Sequence, residues 1–416
     1  MSLIDRLVRN ENPTNYIKEY EELAKQYNPV DLGLGYPDYL PAKFITEALS
    51  EVLSSECVDD HQYTNPQGHP RLRNALSKMF SHHLNINVDP EQEMLVTAGS
   101  SEALFCAVMG LIAPGDEVIV IEPCFMVFVS LIKMAGGVPK YVSLELEENF
   151  KDSQSFAEWK LDRKKIEQIF TVKTKAIIMN TPHNPTGKVF DMDELTFIAD
   201  LCKKWNVICI ADEVYERMVF KPKTHIRIAS LPGMFERTVT LGAAEKSFGV
   251  TGWQIGWAYG HPLLLQALRV LHQHVVFNAS TPLQIAFAKM FEEEYDKLGQ
   301  TTSYFEETEK DLREKRDYLV GVLSKIEMKP ILPQGGMFIL ADITQMLPHV
   351  DLSSEKEKFI DLKFVKWLTK QHRLQTFPVT IFCSENNKKS YENLIRFCFV
   401  KKQSTLEEAA EILKNL

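Results

Sequence analysis

Between about residues 93 and 242, short apolar β-rich runs alternate with helical stretches, and this alternation allows the chain very few folds. Residues 93–97, 118–121, 139–144, 174–180, 207–211 and 238–242 predict strands. The runs are apolar with little polar alternation, so both faces of the sheet must be covered. Residues 102–112, 125–135 and 191–205 predict covering helices, the last opened by the capping box Asp191-Met192-Asp193-Glu194. The expected fold class is α/β: a large domain with a mostly parallel (mixed) sheet covered by helices on both faces, plus a smaller α+β domain.

Length fits this division, since 416 residues exceed what one small core organises. Residues 1–41 read as an N-terminal arm and small-domain segment, with an amphipathic run at 16–27 and a short strand turning at Gly33-Leu34-Gly35-Tyr36-Pro37. Residues 42–295 form the large domain, which begins with helices at 42–55 and 69–84 around a loop at 61–68. Residues 296–416 form the small C-terminal domain: a charged helix at 304–325, a strand pair at 329–342, a helix at 364–371 and a strand at 393–400. Ser404-Thr405-Leu406-Glu407 predicts the cap of the last helix.

A net charge of −9 without any basic tract argues against nucleic acid as a partner. No apolar run approaches the roughly 20 residues that span a bilayer, so no membrane partner is expected. The seven scattered cysteines have no metal-ligand spacing, and no metal site is expected. Four of them lie in apolar runs and suit a reducing compartment. With no signal-peptide pattern at the start, the expected location is cytoplasmic, with a mitochondrial pool left open.

Five features fall at strand ends or turns, where an open α/β sheet places its ligands. Gly99-Ser100-Ser101 entering a helix suits an anion, although taken alone a plain N-cap explains it better. Asn184-Pro185 lies in a rigid turn with two prolines and is a candidate cis bond. Asp212 ends an apolar strand in Asp212-Glu213-Val214-Tyr215, where a bare carboxylate needs a cation or donors, unless it only caps a helix. Lys246 sits among small residues, glycines and aromatics, where loss of solvation frees an amine as a nucleophile. Arg396 lies inside the apolar run Ile395-Arg396-Phe397-Cys398-Phe399, where its fork fits either a ligand carboxylate or an internal salt bridge. Together these groups suit a Schiff-base cofactor bearing a phosphate, with an amino acid as substrate.

In order and spacing, these motifs resemble the fold-type I, class I/II pyridoxal-phosphate aminotransferases. Within that family the similarity is to the kynurenine aminotransferase, glutamine transaminase K and cysteine-conjugate β-lyase group. It runs from Leu32-Gly33-Leu34-Gly35-Tyr36-Pro37-Asp38 to Ile395-Arg396-Phe397-Cys398-Phe399-Val400-Lys401 and includes Pro114-Gly115-Asp116-Glu117-Val118. The resemblance implies that Lys246 carries pyridoxal 5′-phosphate and moves the Cα proton, and that Asp212 pairs with the ring nitrogen. It further implies Tyr215 and Asn184 at the phenolic oxygen, Phe125 stacked on the ring, and Gly99, Ser100, Ser101 and Gln254 around the phosphate. Arg396, Asn184 and Gly35 would grip the substrate carboxylate, and Ile17 and Phe277 would shape the side-chain pocket. Tyr63 would reach the phosphate of a neighbouring subunit, which implies a homodimer.

The implied reaction is transamination between an L-amino acid of the kynurenine, glutamine, aromatic or sulfur type and a 2-oxo acid. The same residues would serve β-elimination from cysteine conjugates, and a non-catalytic cofactor-binding relative is a further alternative. Several positions depart from the family pattern. Ala243 replaces a serine, Gln254 a cation, Ser101 an aromatic, Ile17 a tryptophan and Asn278 a histidine, while Glu102 adds negative charge beside the phosphate turn. A cofactor held less tightly than in relatives is therefore expected.

Overall fold

The computed structural model describes residues 14–147 and 157–416. After a two-residue strand, β1 (Val30–Asp31), eight strands build the main sheet. They are β2 (Met94–Thr97), β3 (Glu117–Glu122), β4 (Val138–Glu147), β5 (Glu158–Leu161), β6 (Thr174–Asn180), β7 (Ile208–Asp212), β8 (Thr238–Ala243) and β9 (Gly256–Gly260). Their order is β2-β9-β8-β7-β6-β3-β4-β5. The middle is parallel, as its unbroken apolar runs require, because both faces carry helices and neither meets water.

Two antiparallel elements complete it, and both are missed by sequence reasoning. β5 pairs with the far end of β4. β9 lies between β2 and β8 and opposes both, so β2 and β8 run the same way. The carboxyl ends of β2, β3, β6, β7 and β8 thus share one edge of the sheet. The strand order also reverses there: the chain steps outward from β3 to β4, and from β6 to β7 and β8 in the opposite direction. The gap between β3 and β6 is a switch point, where such sheets bind ligands.

Residues 329–398 supply a second, antiparallel sheet of β10 (Lys329–Ile331), β11 (Phe338–Asp342), β13 (Phe377–Pro378) and β14 (Leu394–Cys398), in the order β10-β11-β14-β13. β12 (Leu374–Gln375) pairs in parallel with β1, which ties the N-terminal segment to this part of the chain. The helix Thr14–Tyr27 packs on the helix Ile360–His372, and Tyr20 is fully buried in the shared core. The loop after β6 joins the two sheets, since Gly187 O accepts hydrogen bonds from the N–H groups of Gln334 and Gly335 at 2.8 and 3.0 Å. Gly187 has φ +69°, and a Cβ there would lie 2.3 Å from Pro333, so only glycine permits this junction.

Two boundaries differ from the sequence reading for identifiable reasons. The helix after β2 starts at Gly99 rather than at 102, so the Gly-Ser-Ser turn is its first turn. The last helix starts at Gln403, and its N-cap Lys402 makes no side-chain cap. Instead of capping, Thr405 Oγ1 and the Lys402 N–H donate to Asp38 at 2.6 Å each, which fastens the helix to the N-terminal segment. The capping box at Asp191 forms as expected.

Candidate active site

At the shared strand edge lies a cavity of about 240 Å³. Its lining includes Gly35, Ser100, Ser101, Phe125, Asn184, Asp212, Tyr215, Lys246, Gln254 and Arg396. Ten of the residues singled out in the sequence thus meet in one place, from segments more than 350 positions apart.

Lys246 follows β8 in a one-turn helix, Ala244–Ser247. Burial lowers its pKa, although Glu245 and Asp212 oppose that shift. No hydrogen bond or ion pair among the described residues holds its Nζ, so the amine faces the cavity uncommitted. Asp212 ends β7 and is buried. Its Oδ1 accepts only a long bond from the Val214 N–H, 3.4 Å, and desolvation raises its pKa to about 7. Burial likewise raises the pKa of the Tyr215 phenol.

Asn180, overlooked in the sequence, stiffens this corner. Its Nδ2 donates to the Asp212 carbonyl at 2.9 Å and its Oδ1 accepts the Asn184 N–H at 2.7 Å. Asn184 Oδ1 in turn accepts from Arg396 at 3.1 Å, while the other Arg396 terminal nitrogen donates to the Gly33 carbonyl at 3.0 Å. The guanidinium lies 3.8, 5.0 and 4.8 Å from the ring centres of Phe338, Phe377 and Phe382. It is buried, its Nε has no partner, and no carboxylate pairs with it among the described residues. A desolvated cation with neutral neighbours and a free N–H is an open anion site. Phe338 comes from a different segment than Phe377 and Phe382, and no local pattern marks the three as a cage.

The amino end of the helix Gly99–Leu111 lines the same cavity through Ser100 and Ser101. Gly99 has φ +75°, and a Cβ there would lie 2.5 Å from Gln254 Oε1. A Cβ on Gly256 would meet Ser100 N at 2.4 Å, so glycine lets β9 press against this turn. Gln254 directs its Nε2 to the Thr251 carbonyl at 2.6 Å and brings no positive charge. Glu102, expected to repel an anion, is turned away. Its Oε2 accepts the Ala98 N–H at 2.5 Å and its Oε1 lies 2.6 Å from His272 Nδ1.

Gly99 abuts Gln254 without lining the cavity itself, and Tyr63 and Phe277 lie outside it. Tyr63 is 82% exposed and Phe277 is 44% exposed. They pack edge to face against each other, with centroids 5.3 Å apart. The pocket role expected of Phe277 is therefore not met within one chain, because its ring is engaged by Tyr63 at the surface. The side chain of Ile17 lies outside the described residues. A separate buried group, Glu213, Glu216 and His225, has the spacing of metal ligands, but Arg227 and Arg217 already balance its charge.

The family model described as aminotransferase class I and II matches residues 27–413. The chain belongs to the class I and II aminotransferases. Among curated relatives, human kynurenine–oxoglutarate transaminase 3 is 41% identical over 396 residues, 95% of this chain and 87% of its own length. Among solved structures, Bna3p of Saccharomyces cerevisiae superposes with a TM-score of 0.87 at 32% identity, covering 95% of this chain and 94% of that one. N-Succinyldiaminopimelate aminotransferase of Mycobacterium tuberculosis gives a TM-score of 0.86 at 31% identity over 100% and 99% of the two chains.

The aminotransferase is a pyridoxal-phosphate-dependent enzyme that exchanges an amino group between an amino acid and a 2-oxo acid. The donor set fits that cofactor: a free amine, a buried acid lining the same cavity, a buried phenol, and a glycine turn that a Cβ would fill. When bound, the cofactor supplies the electron sink that makes the substrate Cα proton acidic. Among the described residues, no cation stands where Gln254 meets the glycine turn that would receive the phosphate. A hydrogen bond to a charged group contributes about 1.5–3 kcal/mol, so Gln254→Arg should tighten cofactor binding roughly ten- to a hundredfold. Titration of the cofactor into cofactor-free protein measures this, and an unchanged dissociation constant counts against a weakened cradle.

Proposed function

We propose that the enzyme acts on kynurenine or a related aromatic, sulfur or glutamine-type L-amino acid, with a 2-oxo acid as acceptor. The observation that carries the amino-acid reading is Arg396, a buried cation with an unpartnered Nε, lining the same cavity as the free Lys246 amine. Such a pair suits a substrate that bears a carboxylate on the carbon that carries its nitrogen. The aromatic faces of Phe338, Phe377 and Phe382 suit a flat side chain. The likeness to human kynurenine–oxoglutarate transaminase 3 supports this choice.

In this reading Lys246 takes the proton from Cα and returns it during the second half of the reaction. Asp212, its carboxyl raised to about 7 by burial, would pair with the ring nitrogen and be held as a carboxylate by that partner's charge. Tyr215 and Asn184 would hold the phenolic oxygen, Phe125 would cover the ring, and Gly99, Ser100, Ser101 and Gln254 would receive the phosphate. Gly35 completes the carboxylate grip of Arg396 and Asn184. The visible spectrum tests the substrate: the yellow protein should bleach on addition of kynurenine and recover with 2-oxoglutarate. Failure to bleach with any aromatic, sulfur or glutamine-type amino acid would reject the assignment.

We infer also a homodimer in which Tyr63 serves the neighbouring site. Tyr63 and Phe277 support it as an exposed aromatic pair close to exposed Val275, on one chain's surface. Light scattering should give twice the chain mass, and Tyr63→Ala should weaken cofactor binding about tenfold by loss of one hydrogen bond to a charged group. A monomer with full activity would exclude this arrangement. The seven cysteines all remain free, which supports a reducing, cytoplasmic setting.

A further inference from the structure

Neither the family pattern nor the roles above make use of Glu245. Its side chain is 2% exposed, yet it lines the same cavity as Ser100, Ser101 and Gln254. One carboxyl oxygen, Oε2, has no hydrogen-bond partner. The backbone N–H groups of Glu245 itself and of Ser100 face the carboxyl. The Ser100 amide belongs to the first turn of a 13-residue helix, where free N–H groups and the dipole attract an anion. A chain-borne acid therefore sits at the donors that a cofactor phosphate requires, on a turn where Gln254 brings no cation.

We propose that Glu245 is a proton-coupled member of the phosphate cradle: as a carboxylate it claims the Ser100 amide and repels phosphate, and protonated it releases that amide and donates a hydrogen bond to the phosphate. One proton from solvent thus enters for each anion bound. The inference rests on the pyridoxal-phosphate reading. Burial raises the carboxyl pKa to about 7, against the pull of its own amide, Lys246 and the Ser100 amide. The other titratable groups around it are Asp212, Tyr215 and Arg396 of the same cavity, and Tyr39 and Tyr304 in the narrow space beside Lys246. Arg396 is the fixed cation of this lining but is not among the groups that shift the Glu245 carboxyl, and Lys246 itself is pushed towards its neutral form. The sign follows: the protonated carboxyl favours anion binding below about pH 7, and that advantage is lost as pH rises through it.

Sulfate is the probe, because it does not titrate near neutrality. On cofactor-free full-length protein, sulfate affinity should fall about tenfold per pH unit above pH 7. Glu245→Gln should abolish that slope and bind sulfate about tenfold more tightly than wild type at pH 8. Calorimetry in two buffers of different ionisation enthalpy should show close to one proton taken up by wild type at pH 8 and none by the variant. A flat wild-type profile, or no difference in proton uptake between the two proteins, would overturn the proposal, and the wild-type profile stands even if the variant misfolds. Should sulfate behave as expected while pyridoxal phosphate yields no visible chromophore, it is the cofactor reading that fails.

Discussion

Lys246→Ala is expected to reduce turnover by about 10⁴-fold or more, the upper end of what a positioned acid–base group contributes. The geometry gives the variant no substitute. Other lysines lie outside the cavity lining, and the carboxyls of Asp212 and Glu245 belong to the ring and phosphate ends. Lys246 is also the uncommitted amine of the site, so its removal breaks no hydrogen bond or ion pair among the described residues. The variant should unfold at nearly the wild-type temperature and still bind the cofactor reversibly. Single-turnover rates with a preferred amino acid measure the loss; a fall of less than tenfold would assign the proton transfer elsewhere.

Arg396→Gln should give the second largest effect. Removing one partner of a buried, hydrogen-bonded charge pair costs about 2–5 kcal/mol, or roughly 30- to several-thousand-fold in kcat/KM. The glutamine keeps a donor toward Gly33 or Asn184, so the aromatic cage should survive and the loss should be confined to carboxylate recognition. Two readouts separate this from general damage. The amino acid should lose affinity while the corresponding amine without a carboxylate does not, and Arg396→Lys should recover only part of the loss because it lacks the fork. Equal losses for both ligands would mean that Arg396 shapes the cage rather than binding the carboxylate.

The parallel strands were legible because an unbroken apolar run has one explanation in a chain of this length. Asp212 and Arg396 were legible for a related reason, as a charge in an apolar strand must be matched. β9 was hidden by its own composition. Gly256 and Gly260 carry no pattern, and their purpose, close approach of the backbone to Ser100 and Thr238, is a tertiary fact. The cap expected at Ser404 failed because Thr405 found Asp38, a partner 367 residues away. Glu102 looked repulsive beside the anion turn, but its carboxyl is held by the Ala98 N–H and by His272 Nδ1 instead.

Glu245 shows the limit most plainly. In sequence it is one acid beside a lysine, and such pairs usually face water. Only the fold reveals that both side chains point into one cavity and that a helix start supplies its hydrogen-bond donors.

The central claim is that the amine of Lys246 meets the cofactor's aldehyde inside this cavity. Borohydride reduction of the protein with pyridoxal phosphate, followed by peptide mass mapping, tests it most directly. The cofactor should be fixed at Lys246 alone, one per chain, and at no site in Lys246→Ala. Attachment to another lysine, or none at all in a folded wild-type protein, would contradict the account.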